Sequence, residues 1–268
     1  MWRHLRQHPI RVTGRLGWFL ALVFGAGLAF VVRQVCAGWR LGYAERAAWL
    51  QRWSGRVLRG LRVQVTVRGT PPSSGLLVSN HLSYLDILVL ASRLPAVFVA
   101  KSEVGRWPVI GWLTRCAGTL YIVREKRLDV RRVGIGLAEV VEGGVVGVVF
   151  PEGTSSDGHQ VLPFRAPLLG MAVDRGWPVT PAWIGYTLDD GRVEDEICYW
   201  GDMTFAPHLL NLFSKASIRA TIAFGAALPA GADRKRLALE LRGRVGELGS
   251  RWGGMEFSSD PPAGIALE

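Results

Sequence analysis

Residues 76–91 have the sequence LLVSNHLSYLDILVLA, and this stretch decides the fold because it runs from a buried strand straight into a buried helix. Leu76–Ser79 is an apolar run bounded by turn residues, which is typical of a strand covered on both faces. Leu85–Ala91 is nearly all apolar over about two helical turns. A strand that leads directly into a helix is the repeating step of an α/β layered fold.

The same alternation of strand and helix continues on both sides of this stretch. Apolar or β-rich runs bounded by turn signals predict strands at 63–68, 76–79, 96–100, 119–123, 145–150, 179–186 and 220–224. Helical periodicity predicts helices at 84–93, 107–116, 129–142 and 232–248. We therefore expect one α/β domain over residues 62–252, a layered sheet flanked by helices, and a flexible tail rich in Gly, Pro and Ser at 253–268.

The N-terminal segment is set apart by an uncharged run, LGWFLALVFGAGLAFVV at residues 16–32, with arginines on both flanks. About 17 residues is the short limit for a helix that crosses a bilayer, and arginines at both ends give no positive-inside asymmetry. Residues 1–61 are therefore expected to form a membrane-associated helical hairpin, half-inserted or spanning, with its second helix within 44–61. The tryptophans concentrated in the first 53 residues fit indoles at the headgroup level. A buried core helix is the alternative, and a cleaved signal peptide is disfavoured because Arg33 follows the run directly.

Composition narrows the class of partner. The chain has 268 residues with 32 Lys and Arg against 22 Asp and Glu, a net charge of +10, which favours an anionic partner such as lipid headgroups, nucleic acid or a phosphorylated substrate. A nucleic-acid binder is disfavoured because the arginines crowd around the apolar N-terminal run. The 3 cysteines lack CxxC spacing, so the sequence indicates neither a disulfide framework nor a zinc site and fits a reducing, cytoplasmic setting.

A histidine and a carboxylate lie at the strand-to-helix junction. His81 and Asp86 are five residues apart, a spacing that points them about 140° apart if both are helical. They meet if His81 lies in the turn and Asp86 in the first helical turn. The carboxylate then fixes one imidazole nitrogen and leaves the other free to accept a proton from a substrate hydroxyl. The alternative is a helix capping box formed by Ser83 and Asp86.

A second polar segment follows the predicted strand 145–150. Residues 150–158 have the sequence FPEGTSSDG, which places the Glu152 carboxylate at the sheet edge beside Gly153, where a ligand can approach the backbone closely. The alternative is an ordinary turn with no further role.

Together these blocks resemble the glycerolipid acyltransferase family, which includes the bacterial lysophosphatidic acid acyltransferases. His81 and Asp86 match the family's His-x4-Asp block, and Lys101 resembles a lysine that the family carries after it. The other matching blocks follow in the family's order at residues 118–124 (GTLYIVR), 150–154 (FPEGT) and 179–182 (VTPA). The resemblance covers residues 76–185.

The resemblance implies a reaction and a set of roles. An acyl thioester on acyl carrier protein or coenzyme A is attacked by a free hydroxyl of a lysolipid at the membrane surface, with no further cofactor and no metal. His81 is implied as the general base and Asp86 as its orienting partner. The implied substrate-binding residues are Glu152, Gly153 and Thr154 at the acceptor, Arg124 at its anionic headgroup, and Arg165 and Lys101. A backbone N–H near Gly153, or the ammonium of Lys101, is the candidate oxyanion donor.

One departure from the family pattern bears on the acceptor. Family members with a phosphate-bearing acceptor carry arginine directly after Glu-Gly-Thr, and here that position is Ser155. The variant resembles the bacterial lyso-ornithine lipid acyltransferases, so we expect lyso-ornithine lipid as acceptor, ornithine lipid as product, and a site on the cytoplasmic face of the inner membrane. The alternatives are 1-acyl-sn-glycerol-3-phosphate acyltransferase activity, both activities in one protein, or a non-enzymatic basic membrane-surface adaptor.

Overall fold

A single seven-stranded sheet organises the computed structural model, which describes residues 8–123 and 127–254. The strands within these residues are β1 (Val63–Arg68), β2 (Leu76–Ser79), β3 (Ala96–Lys101), β4 (Leu120–Ile122), β5 (Val146–Val149), β6 (Val179–Thr187) and β7 (Ile218–Phe224). Their order across the sheet is β1-β7-β6-β2-β5-β3-β4. All neighbouring pairs are parallel except β6 and β7, which are antiparallel. Each strand that the sequence predicts is present, with ends that differ by one or two residues at most.

Helices cover both faces of this sheet. They are α1 (Pro9–Cys36), α2 (Tyr43–Gly60), α3 (Leu85–Ala91), α4 (Ile110–Cys116), α5 (Arg127–Glu142), α6 (Gly170–Arg175), α7 (Val193–Glu196), α8 (Phe205–Ser214) and α9 (Arg234–Gly253). The four helices predicted for the α/β domain are confirmed as α3, α4, α5 and α9. Helices α6 and α7 were not predicted because they have only 6 and 4 residues. Helix α8 was not predicted because Pro207 breaks the helical pattern in the sequence, although proline is tolerated in the first turn of a helix.

The buried strand β2 shows why its sequence is apolar without alternation. Leu77 faces a core that also holds Leu58 of α2 and Leu85 of α3. Leu76 and Val78 face the opposite core, lined by helices α5 and α9. Both faces of β2 are therefore covered, as expected for parallel strands in an α/β sheet, and the predicted α/β layered fold is confirmed.

The N-terminal hairpin shares the core of the sheet domain through one face of α1. Val12, Leu16 and Phe19 pack against the core on the α2 side, where the rings of Phe19 and Phe213 lie 5.5 Å apart. The opposite face of α1 exposes Ile10, Leu20, Phe24, Leu28, Val31, Val32 and Val35. Among the described residues, α1 is the helix long and apolar enough to cross a membrane by length and composition.

The tryptophans of the hairpin differ from the expected headgroup belt. The indole of Trp49 is 3% exposed and its Nε1 donates to the carbonyl oxygen of Ala26 at 3.1 Å. The rings of Trp18 and Trp53 lie over Gly60 and Gly25, where a side chain would collide with or crowd them. Three tryptophans therefore pack the two helices together. Trp39 is exposed, and Trp2 lies outside the described residues.

Two arginines of α1 bind the C-terminal end of α8. Arg11 Nη1 donates to the carbonyl oxygen of Ser214 at 2.9 Å, and Arg15 Nη1 donates to that of Phe213 at 3.2 Å and to that of Lys215. The last carbonyls of a helix have no partner within the helix and carry partial negative charge, so a guanidinium is a favourable partner. These arginines therefore attach α1 to the sheet domain.

Replacing both arginines, Arg11→Met with Arg15→Met, is expected to loosen the N-terminal half of α1. Charge-assisted hydrogen bonds contribute about 1.5–3 kcal/mol when buried and less here, so amide exchange in this half should accelerate by roughly tenfold. Hydrogen-exchange mass spectrometry in detergent micelles measures this, with Arg52→Met on an exposed position of α2 as the control. Unchanged protection in the double variant would show that apolar packing alone holds α1.

Candidate active site

The carboxyl ends of β2 and β5 bring the two polar segments together. The two strands are parallel neighbours, so the loops that follow them leave the same edge of the sheet. Their contact is direct, because the N–H of Ser156 donates to the carbonyl oxygen of His81 at 2.9 Å. The two polar segments therefore lie together at one edge of the sheet.

Asn80 lets the chain leave the sheet without losing its pairing. Strand β6 continues past the end of β2, and the Asn80 side chain pairs with the backbone of Ile184 there. Its Oδ1 accepts from the N–H of Ile184 at 2.8 Å and its Nδ2 donates to the carbonyl oxygen at 2.9 Å. The amide thus replaces the next peptide of β2, which frees the main chain to turn and present His81.

His81 and Asp86 form a hydrogen-bonded pair. The Nδ1 atom of His81 lies 2.8 Å from Oδ2 of Asp86, with His81 in the turn and Asp86 in the first turn of α3. The Asp86 side chain is 0% exposed, whereas that of His81 is 20% exposed. The imidazole also stacks on Phe150, with ring centroids 4.1 Å apart.

The hydrogen bonds expected for a helix capping box are also present, and the Asp86 carboxylate accepts them. Oδ2 of Asp86 accepts from the N–H of Leu82 at 2.7 Å and from that of Ser83 at 2.9 Å, as in a capping box. An ionised carboxylate accepts only, so Nδ1 of His81 carries the proton and Nε2 has a free lone pair. The capping bonds therefore orient the carboxylate that orients the histidine.

Tyr186 is a partner of this pair that the sequence did not identify. Its hydroxyl donates to Oδ1 of Asp86 at 2.6 Å. Burial raises the pKa of Tyr186 well above its ordinary value, and the negative Asp86 adds to this, so the hydroxyl keeps its proton and acts as a donor. Asp86 thus has four donors for its two oxygens.

The Glu152 carboxylate joins the loop that follows β5 to the loop that follows β2. Glu152 is 4% exposed, and its carboxylate accepts from the N–H of His81 at 3.2 Å and from the N–H of Leu162 at 3.1 Å. Burial raises the pKa of Glu152 well above its ordinary value, against the lowering effect of these two donors. The structure therefore places Glu152 behind the histidine, where it fixes the backbone of His81.

A small apolar cavity of about 90 Å³ lies on the Phe150 side of the site. Gly153 and Arg165 line it together with apolar residues of β3, β4, β5 and α5. Gly153 has φ +78°, and its N–H donates to the carbonyl oxygen of Phe150 at 3.1 Å. That N–H is therefore committed to the turn, which weakens it as an oxyanion donor.

The remaining predicted site residues lie around this edge. Lys101 is exposed and ends β3, two residues after the cavity-lining Val99. Thr154 is exposed in the turn after Gly153. Arg165 is exposed, with its N–H bound to the carbonyl oxygen of Pro151 at 2.9 Å. Arg124 lies outside the described residues.

An aromatic cluster packs against Tyr84 in the turn of residues 81–84, which also carries His81. The Tyr84 hydroxyl lies 2.9 Å from Nδ1 of the buried His208, and Nε2 of His208 lies 3.1 Å from the carbonyl oxygen of Cys198. Burial lowers the pKa of His208 to about 4, so the ring is neutral at pH 7, with Nε2 donating to Cys198 and Nδ1 accepting from Tyr84. Tyr84 also contacts Tyr199 and Phe205 edge-to-face.

Known proteins are similar to this chain in sequence and in fold. The family model described as Acyltransferase matches residues 62–185. A lyso-ornithine lipid O-acyltransferase from Rhizobium meliloti is 36% identical over 199 residues, 67% of this chain and 67% of that protein. The lyso-ornithine lipid O-acyltransferase of Rhodobacter capsulatus is 37% identical over 161 residues, but the match spans only 58% of each chain.

A solved structure shares the fold. The crystal structure of the 1-acyl-sn-glycerophosphate (LPA) acyltransferase PlsC from Thermotoga maritima has a TM-score of 0.64 to this chain. The match covers 93% of this chain and 99% of that one, at 21% sequence identity.

Replacement of Tyr186 by Phe is expected to lower kcat/KM for acyl transfer about threefold to tenfold. Without the hydroxyl, Oδ1 of Asp86 loses its donor, and an intramolecular hydrogen bond contributes about 0.5–1.5 kcal/mol. A merely structural role would lower the amount of folded enzyme and leave kcat/KM per folded molecule unchanged. Tyr199→Phe, whose hydroxyl is not one of the four donors to Asp86, is the control, and equal kcat/KM for both variants would contradict the assignment.

Proposed function

The chain belongs to the acyltransferase family, and we propose that it transfers a fatty acyl group from an acyl thioester to the free hydroxyl of lyso-ornithine lipid. The observation that carries this proposal is the His81–Asp86 pair at the carboxyl edge of the sheet, in which Nδ1 is bound by a buried carboxylate and Nε2 has no hydrogen-bond partner among the described residues. The donor is an acyl thioester of acyl carrier protein or coenzyme A, and the product is ornithine lipid.

The proposed reaction needs no nucleophile from the protein. The acceptor hydroxyl gives its proton to Nε2 of His81 as its oxygen attacks the thioester carbonyl carbon. Asp86 stabilises the imidazolium that forms. When the tetrahedral intermediate collapses, the carbon–sulfur bond breaks and the leaving thiolate takes the proton from Nε2. Ester and thiol are then the products, and His81 is neutral again.

Asp86 and Glu152 make this base rigid in different ways. Asp86 fixes the tautomer and the ring angle, and Glu152 fixes the main chain that carries the ring. A base held in place avoids the entropic cost of orienting it in each turnover. Oxyanion stabilisation by Lys101 remains a prediction.

The headgroup preference rests on Ser155. Its hydroxyl donates to the carbonyl oxygen of Tyr199, so the position where phosphate-acceptor relatives carry arginine holds a short, half-buried, neutral side chain. This supports a zwitterionic acceptor, as do the names of the two relatives above. Arg165, exposed at the cavity, and Arg124 are the proposed partners of the acceptor's carboxylate.

Arg165 also favours a second candidate, acylation of 1-acyl-sn-glycerol 3-phosphate, because a guanidinium binds phosphate as well as carboxylate. Both activities in one protein would use the same base. The choice between acceptors therefore depends on the groups around Ser155.

Membrane association is proposed through the exposed apolar face of α1. This face is opposite the one that packs on the sheet domain, so the helix can enter a bilayer sideways without leaving the protein. Acceptor and product both reside in the bilayer, and we place the protein on the cytoplasmic face of the inner membrane.

Parallel assays with the two acceptors test the headgroup proposal. Wild-type protein in mixed micelles should show higher kcat/KM with lyso-ornithine lipid than with lysophosphatidic acid. Ser155→Arg should move this ratio about tenfold toward the phosphate acceptor, since a charge-assisted hydrogen bond contributes about 1.5–3 kcal/mol.

The control is Ser74→Arg, which adds the same charge in the exposed loop that precedes β2, at the opposite end of that strand from His81. Equal rates with both acceptors in the wild type, or an equal effect of the two arginine variants, would contradict the headgroup assignment.

A further inference from the structure

We propose that residues 107–112, with the sequence WPVIGW, are a second membrane-inserting element that enters the bilayer interface beside α1. The inference goes beyond the proposed function, which places only α1 in the membrane. It rests on the backbone of this segment, on its exposed side chains, and on its position between α1 and the turn of residues 81–84, which carries His81.

The backbone at Val109 is held in a conformation that valine rarely adopts. Val109 has φ +61° and ψ −57°, and the N–H of Ile110 donates to the carbonyl oxygen of Pro108 at 2.6 Å, which together form a γ-turn of the rare kind. A β-branched residue with positive φ is an outlier, and this conformation costs free energy. Nevertheless the Val109 side chain is 54% exposed, so little burial within the protein offsets that cost. Insertion into lipid would offset it.

Trp112 joins this turn to the exposed face of α1. Its indole lies against Gly27, where a Cβ atom would come within 2.5 Å of the ring, and 39% of the residue is exposed. Around the α1 helix Gly27 is about 20° from Leu20 and about 40° from Val31, both of which are exposed. Trp112 therefore lies at the margin of the apolar face of α1 and extends it toward Val109.

The surroundings of the segment fit an anionic lipid surface. Arg106 precedes the segment and Arg115 follows it, and both are exposed. Tryptophan beside arginine at the edge of an apolar surface is typical of the membrane–water interface. Because the surface is continuous with that of α1, the occupant that we propose is a bilayer containing anionic lipid.

The segment is also linked to the turn of residues 81–84 through the ring of Phe205. Trp107 lies 5.1 Å from Phe205 between ring centroids, and Phe205 lies 5.0 Å from Tyr84. Tyr84 belongs to the turn that carries His81. Insertion of residues 107–112 would therefore bring the active-site edge to the lipid surface, where the acceptor resides.

Site-directed fluorescence tests the insertion. In a Cys36→Ser background, where the other cysteines Cys116 and Cys198 are buried, Val109→Cys is labelled with an environment-sensitive fluorophore. With vesicles of phosphatidylcholine and about one third phosphatidylglycerol, the label should shift to the blue and be quenched by brominated acyl chains.

Two matched positions make the outcome decisive. Phe24→Cys on the exposed face of α1 is the positive control, and Leu239→Cys on α9, 57% exposed like Val109, is the negative control. Quenching at 24 without quenching at 109 overturns the proposal. Self-quenching at 109 that disappears on dilution with unlabelled protein also overturns it, because a second copy would then cover the segment.

An activity assay separates this inference from the proposed function. Val109→Asp should raise KM for lyso-ornithine lipid in vesicles by about tenfold and leave kcat in detergent micelles unchanged. Unchanged KM in vesicles overturns the membrane role of the segment, whereas absence of acyl transfer by the wild type would overturn the proposed function instead.

Discussion

The chemistry that we propose depends on the hydrogen bond from Nδ1 of His81 to the buried carboxylate of Asp86. A fully buried carboxylate is costly unless donors surround it, and here two backbone N–H groups, one tyrosine hydroxyl and the imidazole provide them. Each donor comes from an element whose position the sheet fixes. The turn after β2 supplies three of them and β6 supplies the fourth, so the fold and the His81–Asp86 pair are specified together.

The division between what the sequence predicted and what it did not has a physical basis. Strands such as β2 are buried on both faces, so their apolar runs are visible locally, and the His81–Asp86 pair lies within six residues. Tyr186 lies on β6 and His208 on α8, and each contacts the turn that carries His81 from about a hundred residues or more further along the chain. Their side chains resemble ordinary core residues in the sequence, and no local pattern marks them. The position of Glu152 was predicted, but its contact with the backbone of His81 depends on the adjacency of β2 and β5.

The N-terminal hairpin was also predictable from the sequence only in part. The sequence predicts its helices from the uncharged run and from helical periodicity. It does not predict which face of α1 packs against the rest of the protein. Arg11 and Arg15 are among the arginines that flank the uncharged run in the sequence, and in the structure they bind the C-terminal carbonyls of α8. The apolar face left open is therefore oriented by the sheet domain. Since α8 also carries Phe205 and His208, α1 and the turn that carries His81 contact the same helix.

Acyl transfer by purified His81→Ala protein is the measurement that tests the central claim most directly. General base catalysis contributes about 10²–10⁴-fold, so the rate with lyso-ornithine lipid should fall at least a hundredfold. Thermal stability and vesicle binding should stay close to those of the wild type, and His159→Ala in an exposed loop should retain activity. A His81→Ala protein that esterifies the lysolipid at the wild-type rate would contradict the account.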